Sequence, residues 1–240
     1  MAYAPFQETT LMSDLANNYD AWYSEFSRSE GDPRELKACD WILDLLNAQP
    51  KKSLLDVACG TGTFLTRAEA RGLAVSGVDV SPVAIETAAK RIPTATLRVA
   101  RAEELPFPEG AFDYVTCIGS LEHFPDSEAG AAEIRRVLSP SGRAAIYVPN
   151  LFFLGHIYLG LRHGTQPSEG NQEFSERFLT SEGWRGLLES QGLAVESCHP
   201  WNHIWATAKV SRLTMTAWNA TSWLLPKNLA YSFAFVCRRT

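Results

Sequence analysis

Between Ser53 and Val148 five short apolar runs alternate with helix-like segments, and this rhythm constrains the fold more than any other feature of the chain. The runs are 53–59, 74–80, 96–100, 111–119 and 143–148. Strands that take turns with helices form a parallel sheet, and near-continuous apolar strands are covered on both faces. The punctuation between them is consistent with this. Gly72 follows a helix that ends at Arg71, and Ser81-Pro82 supplies an N-cap and first turn for a helix over 83–91. Asp126 or Ser127 opens a helix to Leu138, which Ser139-Pro140-Ser141-Gly142 closes. Right-handed crossovers restrict how such units can wind.

The flanks add less regular pieces. A polar, aromatic leader containing Tyr19 and Tyr23 precedes a helix from Glu35 to Asn47, with Leu36, Cys39, Ile42, Leu43 and Leu46 on one stripe and Pro50 as its stop. After Asn150 come a short apolar run (Leu151–Leu161), a Gly/Pro/Ser loop (His163–Gly170) and a helix (Ser181–Ser190). A sixth strand is expected at Leu193–Cys198 and a seventh, antiparallel to it, at Tyr231–Val236. The expected fold is α/β: a doubly wound, seven-stranded, mostly parallel sheet with an antiparallel last strand, in three α/β/α layers. One domain spans 1–240, with an N-terminal helical cap (1–52), a ligand-binding core (53–150), and insertions or a lid on the substrate side (151–180 and 200–228).

Composition excludes several classes. With 45% hydrophobic and 20% charged residues the chain is an ordinary globular one. Its five cysteines are scattered and odd in number, with no C-x-x-C pair, which suits free thiols in a reducing cytoplasm; no disulfide framework and no metal are expected. No secretory signal is visible at Met1–Thr10, and no apolar run reaches membrane-spanning length. The net charge of −5 is uneven: residues 197–240 hold no acid and carry +5, leaving −10 on 1–196. An acidic body is a poor nucleic-acid binder, so none is expected as a partner.

The ligand is to be read at the carboxyl ends of the strands. After the first strand the chain turns on Gly60-x-Gly62, where the backbone can approach a bound molecule and a helix begins. Asp79 closes the second strand, 23 residues beyond Asp56, where an acid can accept from both hydroxyls of a ribose. Nicotinamide enzymes share this much. Their fingerprint, however, needs a third small residue, and here Phe64-Leu65 follows the glycines. Asp56 before the turn would sit badly beside a pyrophosphate but suits an ammonium. The pattern points to an adenosine ligand with an amino-acid-like arm.

These blocks resemble a known family. Leu54–Phe64 looks like the first motif of class I S-adenosylmethionine-dependent methyltransferases, and Gly77-Val78-Asp79-Val80-Ser81 like their second. Ala102–Pro108 with Ala111-Phe112-Asp113, Ser120-Leu121-Glu122-His123-Phe124 and Glu133–Gly142 resemble later blocks. The similarity is closest to the small-molecule branch with ubiquinone/menaquinone-type methyltransferases, and it covers roughly 53–150. It implies a Rossmann-like fold, S-adenosyl-L-methionine as cofactor, and a role for each matching position. Ala58, Gly60 and Gly62 would hold the methionine moiety with Asp56 nearby. Asp79 would take the ribose, assisted by Ser81. Ala102 and Glu103 would border the adenine, Ile118 and Ser120 would line the floor, and Tyr19 or Tyr23 would close over the methionine end.

His123 is the candidate general acid/base, although methyl transfer from a sulfonium can proceed by alignment in a dry pocket alone. The aromatic segments point to a small, hydrophobic or aromatic acceptor. Trp201, Trp205, Trp218 and Trp223, with Lys209, Arg212 and Lys227, lie between the last two strands. Three readings stay open for 201–225: a lid, a homodimer interface, or a patch in peripheral contact with anionic membrane headgroups. The alternative to an enzyme is a catalytically inactive cofactor-binding protein that serves as a partner or scaffold.

Overall fold

The computed structural model describes residues 16–21, 23, 33–163, 176–202 and 224–240. Its elements in chain order are α1 (Pro33–Leu45), β1 (Ser53–Val57), α2 (Thr63–Ala70), β2 (Ala74–Asp79), α3 (Pro82–Arg91), β3 (Thr96–Val99) and β4 (Phe112–Ile118). They continue through a 3-10 turn (Leu121–His123), α4 (Ser127–Val137), β5 (Leu138–Pro149), α5 (Leu154–His163), α6 (Ser181–Ser190), β6 (Leu193–Trp201), a second 3-10 turn (Lys227–Leu229) and β7 (Ser232–Arg239). A further helical stretch occupies 16–21.

The seven strands form one sheet in the order β3-β2-β1-β4-β5-β7-β6. β1 to β5 are mutually parallel, while β7 runs antiparallel to both β5 and β6. The chain winds outward from β1 to β3, returns, and winds the other way from β4. The switch therefore falls between β1 and β4, and the crevice at their carboxyl ends is where such sheets take ligands.

Alternation along each strand distributes the core. Leu55 and Val57, Val115 and Cys117, and Ala144, Ile146 and Val148 face one layer, built from Ala131, Ile134 and Val137 of α4 and Trp184, Leu187 and Leu188 of α6. Leu54, Tyr114, Ala145 and Tyr147 face the other, with Ile42 and Leu43 of α1 and Phe64, Leu65 and Ala68 of α2. This is the expected three-layer arrangement.

Local chemistry sets the boundaries. Ser81 caps α3 by accepting from the Ala84 amide at 3.0 Å, and Asp126 caps α4 through Ala129 at 2.8 Å. At the start of β4, pairing with β5 slips between Phe112 and Tyr114. The displaced Asp113 accepts from the Ser53 amide (2.9 Å), the Ser53 hydroxyl (3.0 Å) and Lys52 Nζ (2.9 Å), so it anchors the first turn of β1 rather than a ligand. Beyond β5, Asn150 donates to the carbonyls of Asn228 and Ala230, both at 2.8 Å, and accepts from the Phe152 amide at 3.1 Å. That buried amide ties the chain leaving β5 to the segment that returns into β7.

Several boundaries differ from the sequence reading: β5 takes in Ser139-Pro140-Ser141-Gly142, expected to close the preceding helix, because Leu138 is already extended, and β7 runs on to Arg239. α1 ends at Leu45 because Asn47 turns left-handed at φ 50°, well before Pro50. The apolar run after β5 is a helix rather than an irregular segment, and it takes in His163. β6 continues to Trp201, with Pro200 opposite Phe233 and Trp201 opposite Ser232. Trp201 therefore belongs to the sheet and not to the insertion. It is buried against Trp41 of α1, with ring centroids 4.6 Å apart, so it is no part of a lid or surface patch. Trp205, Trp218, Trp223, Lys209 and Arg212, on which the three readings of the insertion rest, lie outside the described residues. No helix among the described residues is long and apolar enough to cross a membrane.

Candidate cofactor and acceptor site

The site begins with backbone conformation. Ala58, Gly60 and Gly62 all adopt left-handed dihedrals, at φ 58°, 51° and 82°. For Ala58 this costs on the order of 1 kcal/mol, and the turn is held by the Cys59 amide on the Val78 carbonyl at 2.9 Å. Gly62 caps α2 without any side-chain hydrogen bond, which leaves amide donors of its first turn open at the positive end of the helix dipole.

The glycines are required for different reasons. A β-carbon at Gly60 would lie 2.8 Å from Tyr23 Oη, so the leader closes directly over the turn. One at Gly62 would press on Ala88 and Ile92 beside α3, each at 3.1 Å. Gly77, in the middle of β2, leaves room for Cys59 Sγ and Leu65 Cδ1, each 2.7 Å from the missing β-carbon.

Asp79 is the polar centre of the crevice. Its Oδ2 accepts from the Gly60 amide and its Oδ1 from the Ser81 amide, both at 2.9 Å. Burial pushes its carboxyl above the ordinary value while those amides pull it down. Two amides leave further lone pairs on the carboxylate for a diol. Ser81 is less available: its hydroxyl caps α3 and also donates to Asp20 of the leader, which accepts from the Val83 amide at 3.3 Å. Asp56, one strand inward, is buried and accepts from Thr116 Oγ1 at 2.7 Å. Burial, with the Asp79 charge adding to it and the Thr116 bond opposing it, pushes its carboxyl up to about 7.

The remaining expected positions follow β3 and β4 or lie in the leader. Ala102 is buried in the core beyond β3, and Glu103 pairs with Arg101 at 3.3 Å while accepting from the Asp126 amide at 3.4 Å. Glu104 is exposed. Ser120 donates to the Ile118 carbonyl at 3.2 Å after β4. Tyr19 stacks on Tyr23 at 6.3 Å. Burial pushes the Tyr19 hydroxyl well up, followed by the carboxylates of Asp79, Glu122 and Glu176. Its ring therefore lies between the β2 end and the turn after β4.

That turn holds what the sequence reading missed. Glu122 is buried with 5% of its surface exposed, and its Oε2 has no hydrogen-bond partner among the described residues. Burial and then the Glu176 carboxylate raise it, against a backbone hydrogen bond, to about 8. His123 is lowered by burial, and its Nδ1 also lacks a partner. Thr116 and Asp20 were missed as well. An acid framed by Leu121 and Phe124 was the available signal for Glu122; nothing local flags Thr116, a hydroxyl in an otherwise apolar strand.

Fold and site together define an α/β protein of the Rossmann-like kind, with a buried acid at the end of β2 and a helix N-terminus that no side chain caps after β1. Residues 55–146 match the family described as "Methyltransferase domain". The chain is 36% identical over 143 residues to nocamycin O-methyltransferase of Saccharothrix syringae, covering 56% of this chain and 48% of that protein. It is 36% identical over 142 residues to demethylmenaquinone methyltransferase of Thermus thermophilus, covering 57% and 63%. It thus spans about half to two thirds of the length of these relatives. A geranyl diphosphate C-methyltransferase of Streptomyces coelicolor superposes with a TM-score of 0.68 at 16% identity, over 98% of this chain and 100% of that one, a likeness of fold. Over residues 55–146 the chain is thus similar to methyltransferases, these small-molecule ones among them.

Proposed function

We propose that this protein transfers the methyl group of S-adenosyl-L-methionine to a small, apolar or aromatic acceptor. The observation that carries the reading is Asp79, fixed by the Gly60 and Ser81 amides beside a turn of three left-handed residues. These residues fit the cofactor. The Asp79 carboxylate keeps lone pairs for the ribose hydroxyls, and the uncapped start of α2 offers amides to the methionine carboxylate. Asp56 supplies the anionic field for the ammonium. Ala102 and Glu103 border the adenine, while Ile118 and Ser120 form the floor. Ser81 acts on the ribose indirectly, by holding Asp79 and the α3 cap. Tyr23 over Gly60 and Tyr19 beside it close the methionine end from water.

The cofactor, when bound, supplies a methyl carbon on a sulfonium, ready for in-line displacement. The protein then has to align an acceptor atom behind that carbon and keep the pocket dry. No proton acceptor is required of His123 for this. An apolar acceptor is supported by α5 and the residues before it. Phe152, Tyr158 and Leu161 are exposed there, and His156 meets Phe178 edge-on at 6.0 Å, which brings α5 alongside the strand-end turns.

The test has two parts. S-adenosylhomocysteine should bind in calorimetry, and Asp79→Ala should weaken it by at least tenfold, the scale of a charge-assisted hydrogen-bonded pair. A panel of phenols, quinols and enols should then give turnover to S-adenosylhomocysteine. Unchanged affinity in Asp79→Ala would remove the cofactor placement, and binding without turnover on any acceptor would leave a cofactor-binding scaffold instead.

A further inference from the structure

We propose that Glu122, His123 and Glu176 form a divalent-cation site at the acceptor side of the crevice. One donor atom from each residue lies within 4.8 Å of the others. Donors on a common tetrahedral ion about 2.1 Å away lie about 3.4 Å apart, so a side-chain movement on the order of an ångström closes the set. Neither Glu122 Oε2 nor His123 Nδ1 has a hydrogen-bond partner among the described residues, although both atoms are buried. A buried acceptor left unpaired costs about 1–3 kcal/mol, more for a charged one. Two such atoms on adjacent residues of one three-residue donor cluster are accounted for together by a cation.

The third donor is positioned from far along the chain. The Arg177 amide donates to the Glu122 carbonyl at 2.8 Å, and the Arg177 guanidinium reaches both carboxylate oxygens of Glu128 on α4 at 2.9 Å. Two residues on, Leu179 bridges to Asn150, and its carbonyl accepts from the Leu151 amide at 3.1 Å. The chain beside Glu176 is thus held against the 3-10 turn by the Arg177 amide. The scattered cysteines, the ground for expecting no metal, take no part.

Two carboxylate oxygens and one imidazole nitrogen form a mixed donor set, suited to Mn²⁺ or Zn²⁺ more than to an all-oxygen ion such as Ca²⁺. Three protein donors leave coordination positions open, as at catalytic rather than structural sites. The Tyr19 hydroxyl lies in the field of Glu122 and Glu176 as well as Asp79, so the cluster neighbours the same crevice. An ion there would select acceptors that present an oxygen ligand, such as a hydroxyl or an enol; this last step rests on the methyltransferase reading, whereas ion binding does not.

Binding is tested without cofactor or acceptor. The full chain, stripped with EDTA and dialysed, is titrated with Mn²⁺ and followed by calorimetry and by the electron paramagnetic resonance signal of free Mn²⁺, with Zn²⁺ as competitor. One Mn²⁺ per chain is expected, displaced by Zn²⁺, with Glu122→Gln and Glu176→Gln each weakening binding by at least tenfold. Melting curves in EDTA check that the variants fold; should Glu122→Gln fail to, Glu176→Gln at a less buried position carries the comparison. Sub-stoichiometric binding, or the same affinity in folded variants, would overturn the site and leave a metal-free pair of carboxyls. S-adenosylhomocysteine affinity measured in EDTA on the same samples separates failure of this site from failure of the cofactor reading.

Discussion

At the scale of single residues, Asp56 makes the sharpest statement. Its carboxyl titrates at about 7 in the folded chain against an ordinary 3.8. Between those values the folded protein holds a proton that the unfolded chain has released. Stability from this group is therefore complete below the lower value and is lost as pH rises through the upper one. Asp56→Asn keeps an acceptor for Thr116 Oγ1 and cannot ionise. Urea titrations at pH 5 and pH 8 should show the wild type losing on the order of 2 kcal/mol relative to the variant over that interval, and parallel profiles would contradict it. Gly77 makes a steric statement of the same kind. A methyl group there meets Cys59 Sγ and Leu65 Cδ1 at 2.7 Å, so Gly77→Ala should cost about 1–3 kcal/mol by overpacking. A thermal melt reads it directly. The place of Asp79 at the end of β2 was legible in the sequence. The partners that tune it were not, since Asp20 arrives from the leader and Gly60 acts through a backbone amide.

Elements show where pattern reading succeeds and fails. β1, β2 and β4 were legible because burial on both faces leaves nearly unbroken apolar runs, and the helices because caps such as Ser81 and Asp126 are local; β3 is an exposed edge strand, and the start of β5 at Leu138 was hidden by the Ser139-Pro140-Ser141-Gly142 turn signal. The end of β6 was not legible. Pro200 argues against a strand, but β6 lies at the sheet edge, where a missing ladder donor is tolerated. Glu176 escaped notice for a different reason: it reaches Glu122 only because the Arg177 amide docks on the 3-10 turn, a contact between segments far apart in sequence. The joint between β5 and β7 depends on Asn150, which is 1% exposed and fills three hydrogen bonds. Asn150→Ala strands two carbonyls and an amide, and should lower stability by about 2–4 kcal/mol in denaturant titration. Asn150→Asp tests the same point, since it keeps the acceptor for Phe152 but loses both donations.

For the whole molecule, α1 is the brace between the two ends of the sheet's helical layer. Asp40 pairs with Arg67 at 2.6 Å and with Arg71 at 3.2 Å on α2, while Trp41 lies on Trp201 of β6. The ion pairs are partly exposed and contribute little; the contact between the two indoles stabilises the brace more. Trp41→Ala should destabilise the chain by roughly 2–4 kcal/mol while leaving S-adenosylhomocysteine affinity within about twofold, since the brace lies away from the crevice. A tenfold fall in affinity would show that α1 also shapes the site. The sheet order carries one more consequence, for synthesis on the ribosome. Among the described strands β7 is made after the others yet occupies an interior position, and β7 is the neighbour of β6. Until Ser232–Arg239 is made, β5 and β6 each present an open row of amides and carbonyls, so the nascent chain passes through an interval in which its most association-prone edges await their own C-terminal segment.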